Sequence, residues 1–259
     1  MNALETKLVL YPTNPDYGNG IYRRRIVLTR QGNRVEAKLE DANHGFSLTL
    51  DHDGQYIIKV DGQALRYPLS TCPQAMTRLQ DFIGLPITMA EQDLRRRISA
   101  RQNCTHWYDL LVLSIRHSQR EQAQREIEIA VNDPEDGVSA CKVWIDVELV
   151  IDWQCRNWII EQPARYRGIS LSSGFSAWAF EQLSGDVLEA ALALQKGYMV
   201  AQSRQHDLNI TGGMPINDIQ SPSGVCYSYT TGVFEKAIIQ KGYSKNFTHQ
   251  RDKLTLFTL

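Results

Sequence analysis

Between residues 21 and 67 the chain repeats one short pattern: a run of alternating or β-branched residues, then a turn signal, then another run. Tyr22–Thr29 alternates, Gln31-Gly32-Asn33 breaks it, and Arg34–Glu40 and Gly45–Asp51 follow. Asp53-Gly54 is a strong hairpin signal, because glycine adopts the positive φ of a tight turn without a steric cost. Gln55–Val60 is the returning strand, and Asp61-Gly62 is expected to turn it into Ala64–Tyr67. Together these segments read as a local antiparallel meander.

The period changes at Ser70-Thr71-Cys72-Pro73. Proline is favoured in the first helical turn, where its missing N–H costs nothing. Ala75, Met76, Leu79, Phe82 and Ile83 then recur at helical spacing, and Gly84 with Pro86 ends the run. A second helical stretch covers 89–101, with Leu94 and Ile98 as its apolar pair. Asn103 either caps a third helix or breaks a long one, and beyond it Trp107, Leu110, Leu111, Ser114 and Ile115 make an apolar face. Polar residues fill 119–140, apart from a strand at Glu126–Val131. Lys142–Val150 reads as one strand, 152–157 as a turn, and Trp158–Glu161 as a short strand. A long helical stretch covers 175–203, with Gly185 as an interruption or as the joint of two helices. No internal repeat is visible.

The fold class is therefore α+β, an antiparallel meander sheet packed against helices. Residues 1–20 read as a lead-in. Residues 21–205 read as one compact domain, whose two lobes, if it has them, meet near 119–140. Residues 206–259 read as an extended segment, rich in Gly, Pro and Ser but also carrying Tyr227, Tyr229, Phe234, Tyr243 and Phe247, which is expected to lie across the domain or a partner. Disordered tails are poor in such aromatics. The chain has 259 residues, 42% hydrophobic and 22% charged, with a formal net charge of −1. That balance points to neither nucleic acid nor an anionic membrane as partner. The runs Arg23–Arg25 and Arg95–Arg97 read as solvated faces. No apolar run is long enough to span a bilayer and the start carries no secretory pattern, so a cytoplasmic location is expected, with the five cysteines as free thiols or metal ligands.

Two of those cysteines stand where helices begin. Cys72 precedes Pro73 as an expected cap, and Cys104 follows Asn103 as an expected first helical residue. The free amides and positive end of a helix favour a thiolate. His106 lies two residues beyond Cys104, and Asp109 three beyond His106, placed to orient its ring. His44 and Asp41, in the meander, are the other polar groups that a fold would bring to the same place. Cys141, Cys155 and Cys226 read as buried structural thiols. His117, His206 and His249 read as surface residues, and His52 as a turn residue.

Three functions follow. In the first, His44 (or Asp41), Cys72, Cys104 and His106 ligate zinc or an iron–sulfur cluster. In the second, Cys104 or Cys72 is a nucleophile, His106 or His44 its base and Asp109 the orienter, as in an acyl-thioester hydrolase. In the third, the protein is a non-enzymatic adaptor that meets a partner or a second copy through its aromatic C-terminal segment. No phosphate-binding loop or nucleophile elbow is present.

The strings Tyr22-Arg-Arg-Arg-Ile26, Asp41-x-x-His44-x-Phe46, His52-Asp53-Gly54, Tyr67-Pro-Leu-Ser-Thr-Cys72-Pro73 and Asn103-Cys-Thr-His106-x-x-Asp109-Leu110 resemble, in combination, an uncharacterised bacterial family, DUF2889, across residues 20–165. That resemblance implies no activity. A weaker one is to iron–sulfur scaffold proteins of the SufU and IscU type, which would make the N-terminal part SufE/IscU-like. Cys72 resembles the scaffold's junction cysteine and Cys104 its later cysteine. The scaffold's early cysteine and the lysine after Gly84 are absent, with His44 or Asp41 the nearest substitute for the former.

Overall fold

The computed structural model describes residues 11–255. One eight-stranded antiparallel sheet organises the chain. Its strands are β1 (Ile21–Gln31), β2 (Arg34–Asp41), β3 (Gly45–His52), β4 (Ile57–Arg66), β5 (Gln124–Asn132), β6 (Val138–Ile145), β7 (Glu148–Arg156) and β8 (Ile159–Gln162). The order is β4-β3-β2-β1-β5-β6-β7-β8, and the sheet does not close into a barrel. β1 pairs with β5 through Ile26 and Ile127, so the segments before and after residue 120 share one sheet.

The two halves repeat an arrangement. Each is a four-stranded meander followed, after irregular chain, by one long helix: α2 (Thr105–Ser118) after the first, α4 (Gly185–Ala201) after the second. α1 (Glu91–Arg97) and α3 (Phe175–Gln182) lie in the connections. α2 packs on β1, β2 and β3, and α4 on β5, β6 and β7. Trp107, Tyr108, Leu110 and Leu111 are all within 1% of complete burial. Each such leucine contributes about 1.5–3 kcal/mol by leaving water.

Several local expectations change. The run after Cys72 is a 3-10 stretch, Cys72–Phe82, rather than an α-helix. β4 does not turn at Asp61-Gly62 but runs through it. Gly62 is there for space: a Cβ would sit 3.0 Å from the Ser47 carbonyl and 3.1 Å from the Met76 sulfur. The single strand expected at 142–150 is two strands joined at Asp146–Val147, where both residues have positive φ, 49° and 72°. Asn157 and Trp158, at 47° and 72°, make the next hairpin in the same way. Such turns match the strand twist but ordinarily carry glycine, so their sequences do not announce them. The 175–203 stretch is two helices, parted near Gly185.

The C-terminal segment lies on the body. Leu208, Ile216, Phe234, Ile239 and Tyr243 form a second apolar cluster with Leu69 and Cys72. The Arg251 guanidinium holds buried Glu128 through two 2.6 Å bonds. Residues 1–10 of the expected lead-in, and 256–259, lie outside the described residues. Among the described residues no helix is long and apolar enough to cross a membrane.

Candidate functional site

The site is built on the turn between β2 and β3. Asp41 ends β2, and its Oδ1 accepts from the Asn43 and His44 amides at 2.8 and 2.9 Å. An aspartate that folds the chain over its own side chain in this way sets a tight turn. The same turn swings the His44 ring back, so that Nδ1 stands 3.0 Å from Oδ1. The spacing Asp-x-x-His is thus a mechanical unit. Arg66, at the end of β4, pins the turn by donating to the carbonyls of Asp41, Ala42 and His44 and, in the C-terminal segment, of Tyr243.

The other oxygen, Oδ2, is claimed by Tyr22 and Arg24. The Tyr22 hydroxyl donates at 2.8 Å, Arg24 Nε at 3.0 Å and Arg24 Nη2 at 2.6 Å. Alternation along β1 places Tyr22, Arg24, Ile26 and Leu28 on the inner face, so Arg24 is 2% exposed. The expectation of a solvated face therefore fails for Arg24. Arg23 and Arg25 do face outward, where they meet the carbonyls of Thr248 and Leu254.

His106, in the first turn of α2, stacks on His44 with ring centroids 3.8 Å apart. Its Nε2 lies 3.0 Å from Arg24 Nη2. A guanidinium has donors only, so Nε2 is the acceptor and the proton sits on Nδ1. Burial, then the neighbouring His44 and Arg24, hold the His106 pKa well below the usual imidazole value, and the ring is neutral. Burial alone would raise the Asp41 pKa, but His44 and Arg24 outweigh it and keep the carboxyl well below its ordinary range. The cluster is one carboxylate, one guanidinium and two imidazoles.

Ligand-bearing atoms of Asp41, His44 and His106 lie within 4.8 Å of one another, close enough to hold one metal ion. Asp41 Oδ1, Asp41 Oδ2, His44 Nδ1 and His106 Nε2 are already engaged, however. Arg24 Nη2 reaches both Asp41 Oδ2 and His106 Nε2, so the guanidinium occupies the ground between these two donors. A cation bound by all three residues must displace it.

His44 and His106 also line a cavity of about 380 Å³, roofed by the C-terminal segment through Cys226, Ser228, Tyr229 and Tyr243. Cys72 and Cys104 line it too, so the fold brings both to the neighbourhood the sequence suggested, but neither belongs to the Asp41–His44–His106 trio. Their helical positions are exchanged: Thr71 caps the stretch that Cys72 opens, and Cys104 caps α2. Neither is a thiolate. Burial pushes the Cys72 thiol up to about 12, and burial with nearby Cys72 and Cys226 raises Cys104 as well. The positive end of α2 is overruled by the loss of water. The Ser228 hydroxyl meets Cys72 sulfur at 3.6 Å.

Asp109 does not serve His106. It faces Arg95 at 3.6 Å, while the polar contacts of His106 are with Arg24 and Asp41. His117 is completely buried rather than on the surface, and Cys226, read as structural, lines the cavity. Arg24 and Tyr22 are the site residues that sequence reasoning missed. The signal was present: Arg24 is in phase with the apolar residues of β1.

No curated protein and no solved structure matches the chain. Over residues 27–119, which contain Asp41, His44, Cys72, Cys104 and His106 but not Arg24, the chain matches the family model described as protein of unknown function (DUF2889).

Proposed function

We propose that the protein is a hydrolase in which Asp41 and His44 form a general-base dyad at the wall of the cavity. The observation that carries this is the 3.0 Å contact between His44 Nδ1 and Asp41 Oδ1. With Nδ1–H held by a carboxylate, Nε2 is the ring nitrogen left for the cavity, and it is a base. Water is deprotonated by Nε2 as its oxygen attacks an acyl carbon. The same proton then goes to the departing alcohol or thiol, leaving the acid. The first-turn amides of α2, beside Thr105 on the cavity wall, supply partial positive charge for the developing oxyanion. The cysteines act as wall, not as nucleophiles.

Assay of the purified protein on a panel of acyl esters and thioesters tests this. Turnover that disappears in His44→Gln and falls steeply in Asp41→Asn is the expected result. Turnover that survives His44→Gln, or no turnover of any member, overturns it.

A second reading rests on the closeness of Asp41, His44 and His106. Two imidazoles and a carboxylate suit zinc or non-haem iron. No thiol belongs to this trio; Cys72, Cys104 and Cys226 line the cavity beside it. Elemental analysis separates the readings: stoichiometric zinc or iron that is lost in His106→Ala supports the metal.

A further inference from the structure

The cavity wall has a composition that restricts what can enter. Twenty described residues line it, and none is Arg, Lys, Asp or Glu. The charged members of the site, Arg24 and Asp41, stand behind His44 and His106 and are spent on each other. Phe46, Leu69, Val200 and Leu208 supply much of the remaining surface. The volume lies within the range of small-molecule sites.

Three of the polar groups that line the cavity are phenols, beside Gln220 and Ser228. Tyr11, Tyr229 and Tyr243 all line the cavity, and Tyr229 lies close enough to the other two that they add to the effect of burial in raising its pKa. A cluster of protonated hydroxyls donates to a carbonyl, ether or hydroxyl oxygen. It supplies no countercharge. An ion brought among these phenols gives up its hydration without gaining a fixed countercharge, which costs more than the transfer of an amide or ester.

Charge is found in the adjoining hollows. A neighbouring polar hollow of about 240 Å³ is lined by Asp16, Arg204, Asp207 and Lys245 and shares Asn43, Ser203 and Leu208 with the cavity. Asn43 Nδ2 donates to Ser203 Oγ at 2.7 Å, which makes this pair the partition. That bond uses the Asn43 amide nitrogen and leaves its buried Oδ1 without a partner.

We infer that the cavity binds an uncharged, predominantly apolar small molecule that carries one oxygen acceptor for the tyrosine hydroxyls, such as a medium-chain acyl ester or amide, and that it rejects the corresponding carboxylate or ammonium. This names the substrate class for the Asp41–His44 dyad and rests on that reading for its catalytic meaning, but the binding preference is measurable without turnover.

The test is calorimetric titration of the His44→Gln protein, and of the unaltered protein, with decanamide, decanoate and decylammonium. Decanamide is expected to bind, with the two ions at least about 100-fold weaker, as a charge-burial penalty of several kcal/mol requires. Binding is located by Cys226, which is half-buried on the cavity wall: decanamide is expected to slow its modification by N-ethylmaleimide, followed by mass spectrometry. Decanoate binding as tightly as decanamide overturns the inference. So does the failure of all three to bind at millimolar concentration, or bound decanamide that leaves Cys226 as reactive as before. Selective decanamide binding in a protein that hydrolyses nothing sinks the dyad and leaves the cavity's preference standing.

Discussion

Arg24 Nη2 donates to Asp41 Oδ2 at 2.6 Å in a part of the core where both side chains are almost completely shut off from water. Neither charge would be tolerable alone there. Removing one partner of a buried pair leaves the other uncompensated, at a cost of about 3–5 kcal/mol. Arg24→Met is therefore expected to destabilise the fold by that amount in urea unfolding. Arg24→Met combined with Asp41→Asn should recover part of the loss, because the stranded carboxylate is gone. Two single-variant losses that simply add in the double variant would show that the pair is not coupled.

Arg24→Met also bears on the metal. The guanidinium stands between two of the three prospective donors, so its removal opens Asp41 Oδ2 and His106 Nε2 together. If the trio can hold zinc, the variant should bind it more tightly than the unaltered protein in a competition titration. Equal affinity would mean that Arg24 is no barrier and that binding, where seen, is elsewhere.

The thiols give a reactivity prediction. Burial raises Cys72 to about 12 and raises Cys104 and Cys226 as well. At pH 8 the native protein should be alkylated slowly, Cys226 first because it alone of the three is not fully buried. Cys104→Ala and Cys72→Ala should hydrolyse esters within a few-fold of the unaltered protein. Loss of turnover in Cys104→Ala with the fold intact, by circular dichroism, would return the cysteine to the role of nucleophile.

The sequence is most legible where turn chemistry is explicit. Asp53-Gly54 and the strand alternation of 21–60 lead directly to the meander. They do not reveal that Asp146–Val147 and Asn157–Trp158 repeat the device in a second half, since those turns adopt positive φ without glycine. The twofold layout, two meanders each followed by a helix, is carried by backbone pairing between β1 and β5 and leaves no matching residues to read. At the site, His44, Cys72, Cys104 and His106 were recognisable as neighbours, because cap positions and strand junctions gather at the ends of elements. Their chemistry was not recognisable. The helix N-terminus argues for a thiolate, but complete burial is the larger effect, and burial depends on residues 220–243, which carry no periodic signal. Arg24 was hidden by its companions: three arginines in a row look solvated, although a strand must turn the middle one the opposite way.

Arg66 lies outside the dyad yet holds its geometry. Its guanidinium takes three carbonyls of the 41–44 turn and one from Tyr243, besides standing 3.2 Å from Glu40. Arg66→Lys keeps the charge but not the planar fork that reaches several acceptors at once. The expected result is a fall in kcat with little change in KM, because a displaced His44 weakens proton transfer more than it alters the apolar walls. A rise in KM alone would instead assign Arg66 to the cavity roof.

A final prediction concerns acid. Glu189, on α4, is buried and receives Arg120 Nη2 and Arg125 Nε, each at 2.7 Å, with Arg116 at 3.6 Å. It joins α4 to the end of α2 and to β5. Burial by itself raises its pKa, but Arg120, Arg116 and Arg125 together lower it below the ordinary value of 4.5. Because the folded-state pKa is depressed, the unfolded chain binds the proton more readily. The stabilisation is complete above the unfolded pKa and is lost as pH falls through the folded one. Asp41 acts in the same direction. Stability should therefore decline as pH drops below about 4.5, and Glu189→Gln should be less stable at pH 7 but show a shallower decline in acid. Urea midpoints measured from pH 7 to pH 3 decide it: parallel curves for the two proteins would mean that Glu189 keeps its proton affinity on unfolding and that the three arginines contribute no linkage.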